Sequence, residues 1–452
     1  MRTARRASLA TLALALGLGF ALRLWGIGFG FPLLVHADEG VIVQNAAGAG
    51  AGRLDPGWYV QGPLASWLLA ALWGVRFTAL RVIGAIAGTD AYKDAFLTDP
   101  TPFYLWGRAA LGALLGTVSI WTTWRIGREA LGRPVAALGA FLFAVSFLAV
   151  RDAHFIYVDM GMLACATLCA ACWLRYARTG TSRPLLLGAV ACGAAAAFKY
   201  NAALIGLLLV AVVLTGRPRR WGHLVLGTLV TCATLALGNP FLLLNPAGVW
   251  ADLSAEGAKH GAHPWGHHFT YSLVGGAGWP VALLGALACL AALARGSRRE
   301  RLLWLVPLLW YAYATRHALA YARYVLPILP FACLGAAQVL ARAIPRGRRR
   351  LLLPLAVLLV AAPTAAKSIL FDRLLARPDA RVELARWLRT APEVPDGARL
   401  ALDHTFWTTG ALPTWAFGRT DAQLAGMEAT AQTDAQRDRL RRLRTIGERP
   451  GG

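Results

Sequence analysis

The sequence predicts an all-α polytopic membrane protein with about eleven transmembrane helices, helices along the outer membrane surface and a small C-terminal α/β appendage. The chain is 57% hydrophobic, only 15% charged and has a mean hydropathy of +0.50. These values are typical of polytopic membrane proteins. Its apolar runs are too long and too numerous for a soluble core. Its arginines lie in short clusters between those runs, as in cytoplasmic loops.

The first predicted element is an uncleaved helix over residues 1–30. Arg2, Arg5 and Arg6 precede a long apolar run, as in a secretory signal peptide. No convincing small-residue cleavage site follows, however, and many further apolar runs do. The basic start places the N-terminus in the cytoplasm, so residues 31–103 are predicted to lie outside.

Within this outer loop, residues 64–86 are apolar enough to resemble a span but contain Arg76 and Arg81. A charge at the middle of a bilayer costs ~2.5–3.5 kcal/mol on insertion scales. We therefore predict helices that lie along the outer interface. The later spans are predicted at 104–126, 134–150, 158–175, 184–198, 201–215, 222–240, 270–294, 302–317, 324–342 and 351–370.

The distribution of arginine supports this count. With 64–86 outside the bilayer, every strong basic cluster between spans faces the same side, as the positive-inside rule requires. If 64–86 crossed the bilayer, all of them would face outward. The clusters are Arg125–Arg133, Arg175–Arg183, Arg217–Arg220, Arg295–Arg301 and Arg342–Arg350. The N-terminus is therefore predicted inside and the C-terminus outside.

The chain divides into a membrane domain, residues 1–372, and an outer C-terminal region, residues 373–452. Residues 379–390 read as an amphipathic helix and Ala398–Asp403 as a short strand. The polar, arginine-rich tail over 428–452 is predicted to be disordered. This region is too short to carry chemistry alone.

An acidic pair, Asp38 and Glu39, directly follows the first span in the sequence HADEG. The whole chain has only 23 acidic residues, so two adjacent carboxylates at a membrane exit are unusual. A carboxylate placed there can act as a general base toward a hydroxyl group. We favour Asp38 as the base over Glu39. The alternative is a solvated pair that only orients the helix.

Three further polar groups are predicted on the same outer face. In RDAHFIYVD (residues 151–159), Asp159 begins an apolar helix, whose dipole favours an ionised carboxylate, and His154 can donate to an anion. Lys199, in the turn Lys199-Tyr200-Asn201, and Arg323, in the stretch Arg316–Tyr324, suit a phosphate at the membrane surface. The alternatives are helix caps and arginines that reach lipid headgroups.

No cofactor is predicted. Four histidines in the 240–268 loop have spacings compatible with a divalent metal, but nothing in the sequence fixes a geometry. They are His260, His263, His267 and His268. Walker A, Rossmann and nucleotide-sugar patterns are absent from the sequence. The net charge of +23 is explained by the inner loops and does not predict a nucleic-acid partner. A transfer reaction would therefore draw on an activated substrate within the membrane.

The order and spacing of six motifs resemble the GT-C membrane glycosyltransferases, specifically the family 39-like group around the protein O-mannosyltransferases and aminoarabinose transferases. The resemblance covers residues 10–405. The motifs are HADEG at 36–40, GPLxxW at 62–67, RDAHFIYVD at 151–159, FKYNA at 198–202, GNPF at 238–241 and ARYVLPILP at 322–330. The C-terminal region is shorter than in many such relatives.

This resemblance implies a polyprenyl-phosphate sugar donor, a hydroxyl acceptor and a reaction at the outer face of a bacterial cytoplasmic membrane. It implies that Asp38 is the base for an inverting attack at C1, and that Glu39 and Asp159 position acceptor and sugar. The cationic and polar residues implied at the lipid phosphate are His154, Lys199, Tyr200, Arg323 and Tyr324. The acceptor, whether protein, lipid or glycan, stays open.

Two other functions remain as hypotheses. A transporter or flippase predicts polar residues on both faces and internal repeats, and neither is clear in the sequence. A non-enzymatic component of an envelope polysaccharide pathway predicts that the protein does not bind polyprenyl phosphate.

Overall fold

A computed structural model describes residues 2–32, 36–257, 264–316 and 320–393, with isolated positions between 425 and 441. Within these residues the chain forms helices and loops and no β-strand. The first helices are α1 Arg2–Leu24, α2 Ala37–Gly50, α3 Leu64–Val82, α4 Thr89–Thr98, α5 Thr101–Ala130, α6 Arg133–Ala144, α7 Phe147–Asp152, α8 Val158–Thr179, α9 Ser182–Phe198 and α10 Tyr200–Leu214. The later ones are α11 Trp221–Gly238, α12 Phe241–Leu244, α13 Pro246–Gly257, α14 His268–Ala277, α15 Trp279–Arg295, α16 Arg298–Ala314, α17 Ala322–Ala343, α18 Arg349–Leu375 and α19 Ala380–Thr390.

Each predicted span coincides with one of these helices or with a bent pair of them. Among the described residues, six helices are long and apolar enough to cross a membrane, and a seventh candidate is the pair α14 and α15, bent by 119°. Helices α6, α9 and α10 are apolar but shorter. These apolar helices confirm a multi-pass, all-α membrane protein. The number and direction of the crossings stay predictions.

Helix α3 lies in segment 64–86, which we predicted to stay outside the bilayer. It is not among the long apolar helices of the described chain. One face is held by the bundle: Leu69 and Trp73 are buried, and Trp73 donates to the Phe103 carbonyl at 3.1 Å. The Arg76 guanidinium lies over the Phe103 ring, 4.6 Å from its centroid. This amphipathic attachment is consistent with a helix along the interface.

Small residues allow the core helices to approach closely. Helix α8 is the most buried of the long helices, and it packs between α5 and α9. A Cβ atom at Gly161 would lie 2.3 Å from the Phe198 ring, so only glycine permits this contact between α8 and α9. Small residues at helix interfaces are typical of membrane proteins.

The ends of several helices converge at one end of the bundle, and this convergence positions the polar motifs. Asp38 lies in the first turn of α2, Asp159 in the first turn of α8 and Arg323 in the first turn of α17. Lys199 separates α9 from α10. Residues far apart in sequence therefore meet at one surface.

Helix α19 begins after Asp379, whose side chain accepts a hydrogen bond from the Arg381 amide, in agreement with the amphipathic helix predicted over 379–390. The predicted strand, Ala398–Asp403, lies outside the described residues. Only isolated positions of the 428–452 tail are described, so its disorder stays a prediction. The domain boundary at 372 also stays a prediction.

The membrane topology can be tested with alkaline phosphatase, which is active only when exported. We expect activity for a fusion after Gly88, before α4, and none for a fusion after Gly216, beyond α10. The arginine clusters and the interfacial α3 together require this pattern. If α3 crossed the membrane, the two results would be exchanged.

Candidate active site

A cavity of about 250 Å³ lies where these helix ends converge. Its wall combines cations, carboxylates and aromatic rings. The lining residues are His36, Arg151, Asp152, Phe155, Tyr157, Asp159, Arg323 and Phe371. Most of them come from the motifs HADEG, RDAHFIYVD and ARYVLPILP, so the structure joins groups that the sequence presents separately.

The first ion pair at the cavity joins Asp38 and Arg323. The Arg323 Nη1 atom donates to Asp38 Oδ2 at 2.9 Å, and both side chains are partly exposed, 29% for Asp38 and 23% for Arg323. The guanidinium is packed against the Tyr157 and Tyr321 rings, 4.8 and 4.6 Å from their centroids. Its Nε atom is buried without a partner among the described residues. Arg323 therefore keeps a donor that the described residues do not use.

The second ion pair joins Asp159 and Lys199. The Lys199 Nζ atom lies 2.8 Å from Asp159 Oδ1, and the carboxylate is only 3% exposed. The ammonium lies over the Tyr324 ring, 5.4 Å from its centroid. Tyr200, the next residue, accepts a hydrogen bond from Asn239 Nδ2 at 2.8 Å. The break between α9 and α10 thus holds a cation beside a carboxylate at the start of α8.

Glu39 occupies a different environment from Asp38. It forms a bidentate pair with Arg108, at 2.8 and 2.7 Å, and accepts a third hydrogen bond from the Ile156 amide. Its side chain is 1% exposed and does not line the cavity. The structure therefore places Glu39 in the helix framework, where its carboxylate is fully used.

His154 is also turned away from the cavity. Its ring nitrogens lie 2.9 Å from the Val150 carbonyl oxygen and 3.0 Å from that of Trp25. The turn after α7 directs this ring between α1 and α18, where its Nε2 atom is 3.6 Å from Asp372 Oδ1. Because both nitrogens contact these backbone carbonyls, His154 has no ring nitrogen available to a phosphate.

The cavity has a second carboxylate that the sequence did not rank as catalytic. Asp152 is bound by its neighbour Arg151, at 2.8 Å from Nε and 2.7 Å from Nη2. Burial raises the pKa of Asp152, and its Oδ2 atom has no partner among the described residues. Proximity to Asp159 in the motif was the available signal, but a sequence does not show which of two neighbouring acids faces a cavity.

Tyr157 and His36 complete the wall as neutral groups. Burial raises the pKa of Tyr157 above its usual value, so its phenol keeps the proton. Gln61 Nε2 donates to the phenol oxygen, which leaves the O–H free to donate elsewhere. Burial lowers the pKa of His36, and its ring stacks on Phe155 at 4.1 Å between centroids. Tyr157 and His36 were not predicted as site residues because their contribution depends on burial and stacking, which the sequence does not show.

The histidines of the 240–268 loop are only partly described. His260 and His263 lie outside the described residues, as does His317. His268 is buried against Ser272 and the Ala314 carbonyl. In the described part of the chain, no group of three or more His, Cys, Asp and Glu side chains is arranged to hold a metal ion.

Comparison with known proteins identifies the fold. Residues 103–243 match the family of dolichyl-phosphate-mannose-protein mannosyltransferases. The structure resembles that of ArnT from Cupriavidus metallidurans bound to undecaprenyl phosphate, with a TM-score of 0.62 and 17% identity, covering 95% of this chain and 88% of ArnT. The chain has the GT-C glycosyltransferase fold. No curated protein sequence matches it.

A second structural relative of this GT-C protein is the oligosaccharyltransferase of Archaeoglobus fulgidus tethered to an acceptor peptide. The TM-score is 0.59 and the identity 14%, covering 97% of this chain and 68% of the relative. The same archaeal enzyme, AglB, was also solved with an inhibitory peptide and a dolichol-phosphate, with a TM-score of 0.57, 14% identity and coverage of 97% and 69%. The family match and the shared fold indicate a membrane glycosyltransferase, which confirms the resemblance that the motifs predicted.

The buried pair between Glu39 and Arg108 predicts a large loss of stability in Glu39→Gln. Removing one partner leaves a buried guanidinium without its counter-charge, which costs about 3–5 kcal/mol. The midpoint of thermal unfolding in detergent should fall by many degrees. The matched control, Asp90→Asn, removes an exposed carboxylate 3.4 Å from Lys93 and should leave the midpoint unchanged. Equal midpoints for both variants would contradict a framework role for Glu39.

Proposed function

We propose that this protein transfers a sugar from a polyprenyl-phosphate donor to a hydroxyl acceptor at the outer face of a bacterial cytoplasmic membrane. The supporting observation is that Arg323 and Asp159 both line one cavity and that each forms an ion pair, Arg323 with Asp38 and Asp159 with Lys199. The structures of ArnT with undecaprenyl phosphate and of AglB with dolichol-phosphate support a lipid-linked donor. A phosphate ester is also a suitable leaving group for a site without nucleotide-binding motifs.

Asp38 is the general base of the proposed reaction. The acceptor oxygen attacks C1 of the sugar, its proton passes to the Asp38 carboxylate, and the bond between C1 and the phosphate oxygen breaks with inversion. Polyprenyl phosphate departs with the electron pair. Arg323 binds Oδ2 of Asp38, so Oδ1 is the oxygen that we assign to the acceptor hydroxyl. General-base catalysis of this kind contributes ~10²–10⁴-fold.

The cations stabilise the charge that develops on the leaving phosphate. Arg323 lines the cavity and has a buried Nε donor without a partner in the described chain, and a planar guanidinium matches phosphate geometry. Lys199 adds a point charge next to Asp159. Both are already held by aromatic rings and carboxylates, so little reorganisation is needed when charge develops.

Glu39 and Asp159 act as positioning residues in this proposal. Glu39 is anchored on three donors, and this anchor fixes the first turn of α2, from which Asp38 projects. Asp159 holds Lys199 at 2.8 Å. His154, which binds backbone carbonyls, has no place at the leaving phosphate.

The role of Asp38 predicts that Asp38→Asn lowers turnover by at least ~100-fold, because the amide cannot accept the proton. Turnover can be measured in reconstituted vesicles with a panel of radiolabelled polyprenyl-phosphate sugars and the fraction that gains label. Asp90→Asn, an exposed carboxylate in α4 of the outer loop, serves as the matched control and should be fully active.

Asp152 is the competing carboxylate at the cavity, so its variant tests the assignment of the base to Asp38. Asp152→Asn should retain activity above that of Asp38→Asn, since the Asp152 side chain is only 8% exposed and is less accessible to an acceptor than that of Asp38, at 29%. If Asp152→Asn were inactive while Asp38→Asn turned over normally, the base would be Asp152 and the assignment to Asp38 would be wrong.

Lys199 provides a separate test of charge stabilisation. Lys199→Met should lower turnover by ~10²–10³-fold, as for other preorganised electrostatic groups, and should lower stability because Asp159 is left buried and unpaired. The double variant Asp159→Asn/Lys199→Met should regain the thermal stability but not the activity. Recovery of both would show that the pair is only structural.

A further inference from the structure

A second cavity, of about 320 Å³, lies at the other end of α17 and takes no part in the proposed reaction. Since α17 has 22 residues and a helix rises ~1.5 Å per residue, roughly 30 Å separate its two ends. The lining residues are Ala130, Leu131, Val135, Ser297, Glu300, Gln338, Ala341, Arg342 and Arg349. The arginine clusters of the predicted cytoplasmic loops surround this end.

The single carboxylate of this cavity is fully engaged by the protein. Glu300 Oε2 accepts from the Ser297 amide and hydroxyl, both at 2.9 Å, in a capping box at the start of α16. Its Oε1 accepts from Gln338 Nε2 and Arg342 Nη2. Glu300 therefore does not repel an anion strongly, and the two lining arginines leave the wall with net positive charge.

Arg349 supplies a cation whose charge is not neutralised by a carboxylate in the described chain. Its Nε donates to the Ile344 carbonyl at 3.0 Å, which holds the half-buried side chain at the cavity wall. The guanidinium Nη groups have no partner among the described residues. A guanidinium held in this way is suited to bind a phosphate through two parallel hydrogen bonds.

Gln338 adds a buried hydrogen-bond acceptor to which no described residue donates. The residue is 5% exposed. The orientation of its side-chain amide is determined because a carboxylate such as Glu300 only accepts hydrogen bonds, so Nε2 must be the atom that faces it. The Oε1 atom is then directed elsewhere and is buried without a partner among the described residues. A buried acceptor without a donor is unfavourable unless a ligand or water donates to it.

We propose that this cavity binds the headgroup of an anionic phospholipid that also bears a hydroxyl, of the phosphatidylglycerol type. The phosphodiester binds Arg349 and Arg342, a glycerol hydroxyl donates to Gln338 Oε1, and the apolar wall at Leu131 and Val135 accommodates carbon. Basic pockets between transmembrane helices at the cytoplasmic side are suited to anionic headgroups. The site differs from the candidate active site in face, charge and ligand.

The test uses the full-length protein in detergent and native mass spectrometry to count retained lipid. The probes are dioleoyl-phosphatidylglycerol, dioleoyl-phosphatidic acid and dioleoyl-phosphatidylcholine. We expect the unmodified chain to retain phosphatidylglycerol best, and Arg349→Gln to weaken it about fivefold, as for one basic group near an anionic headgroup. The matched control Arg219→Gln removes an exposed arginine of the same predicted face, outside the cavity, and should bind normally.

Four outcomes would contradict this proposal. Equal retention of phosphatidylglycerol and phosphatidylcholine by the unmodified chain overturns the proposal without any variant, so a failure of Arg349→Gln to fold does not matter. Equal effects of Arg349→Gln and Arg219→Gln place the lipid elsewhere. Gln338→Met should remove the preference for phosphatidylglycerol over phosphatidic acid, and a retained preference overturns the hydroxyl contact. Displacement of the lipid by millimolar inorganic phosphate would assign the site to a free anion instead.

Discussion

The buried ion pair between Glu39 and Arg108 is the interaction on which the geometry of the outer face depends. Arg108 lies in α5 and donates not only to Glu39 but also to the carbonyls of Ile27 and Phe29, which follow α1. Glu39 in turn accepts from the amide of Ile156, which precedes α8. Four segments of the chain thus meet on one pair of charges. A buried pair is tolerated only when such additional hydrogen bonds offset the cost of desolvation.

The same pair explains why neighbouring carboxylates have different environments. Asp38 and Glu39 are consecutive on α2, and consecutive helical side chains point about 100° apart. Because Glu39 is directed into the bundle, Asp38 is directed toward Arg323, which lines the cavity. The sequence showed two adjacent acids at a membrane exit and favoured Asp38 as the base, but not the separate environments of their side chains. The packing of α5 against the end of α1 makes one of them a framework group and leaves the other at the surface.

The class of fold could be predicted because a bilayer imposes it: long apolar runs must be helical, and arginine accumulates on one side. The apolar helices follow those runs closely, and α3 lies where Arg76 and Arg81 argued against a span. The ion pairs could not be predicted, because partners such as Asp38 and Arg323 are 285 positions apart. Side-chain orientation could not be predicted either. His154 is the clearest case, because the direction of its ring depends on one turn after α7. Tyr157 carried no distinctive spacing and was found only through its burial.

In the structure, Asp38 and Arg323 serve as each other's counter-ions. On the proposed mechanism, an incoming phosphate competes with Asp38 for the same guanidinium. Binding of the lipid-linked donor would then loosen the carboxylate from its partner and make its oxygens more basic at the moment when an activated sugar is present. Such a counter-ion exchange imposes an order of events: donor first, acceptor second.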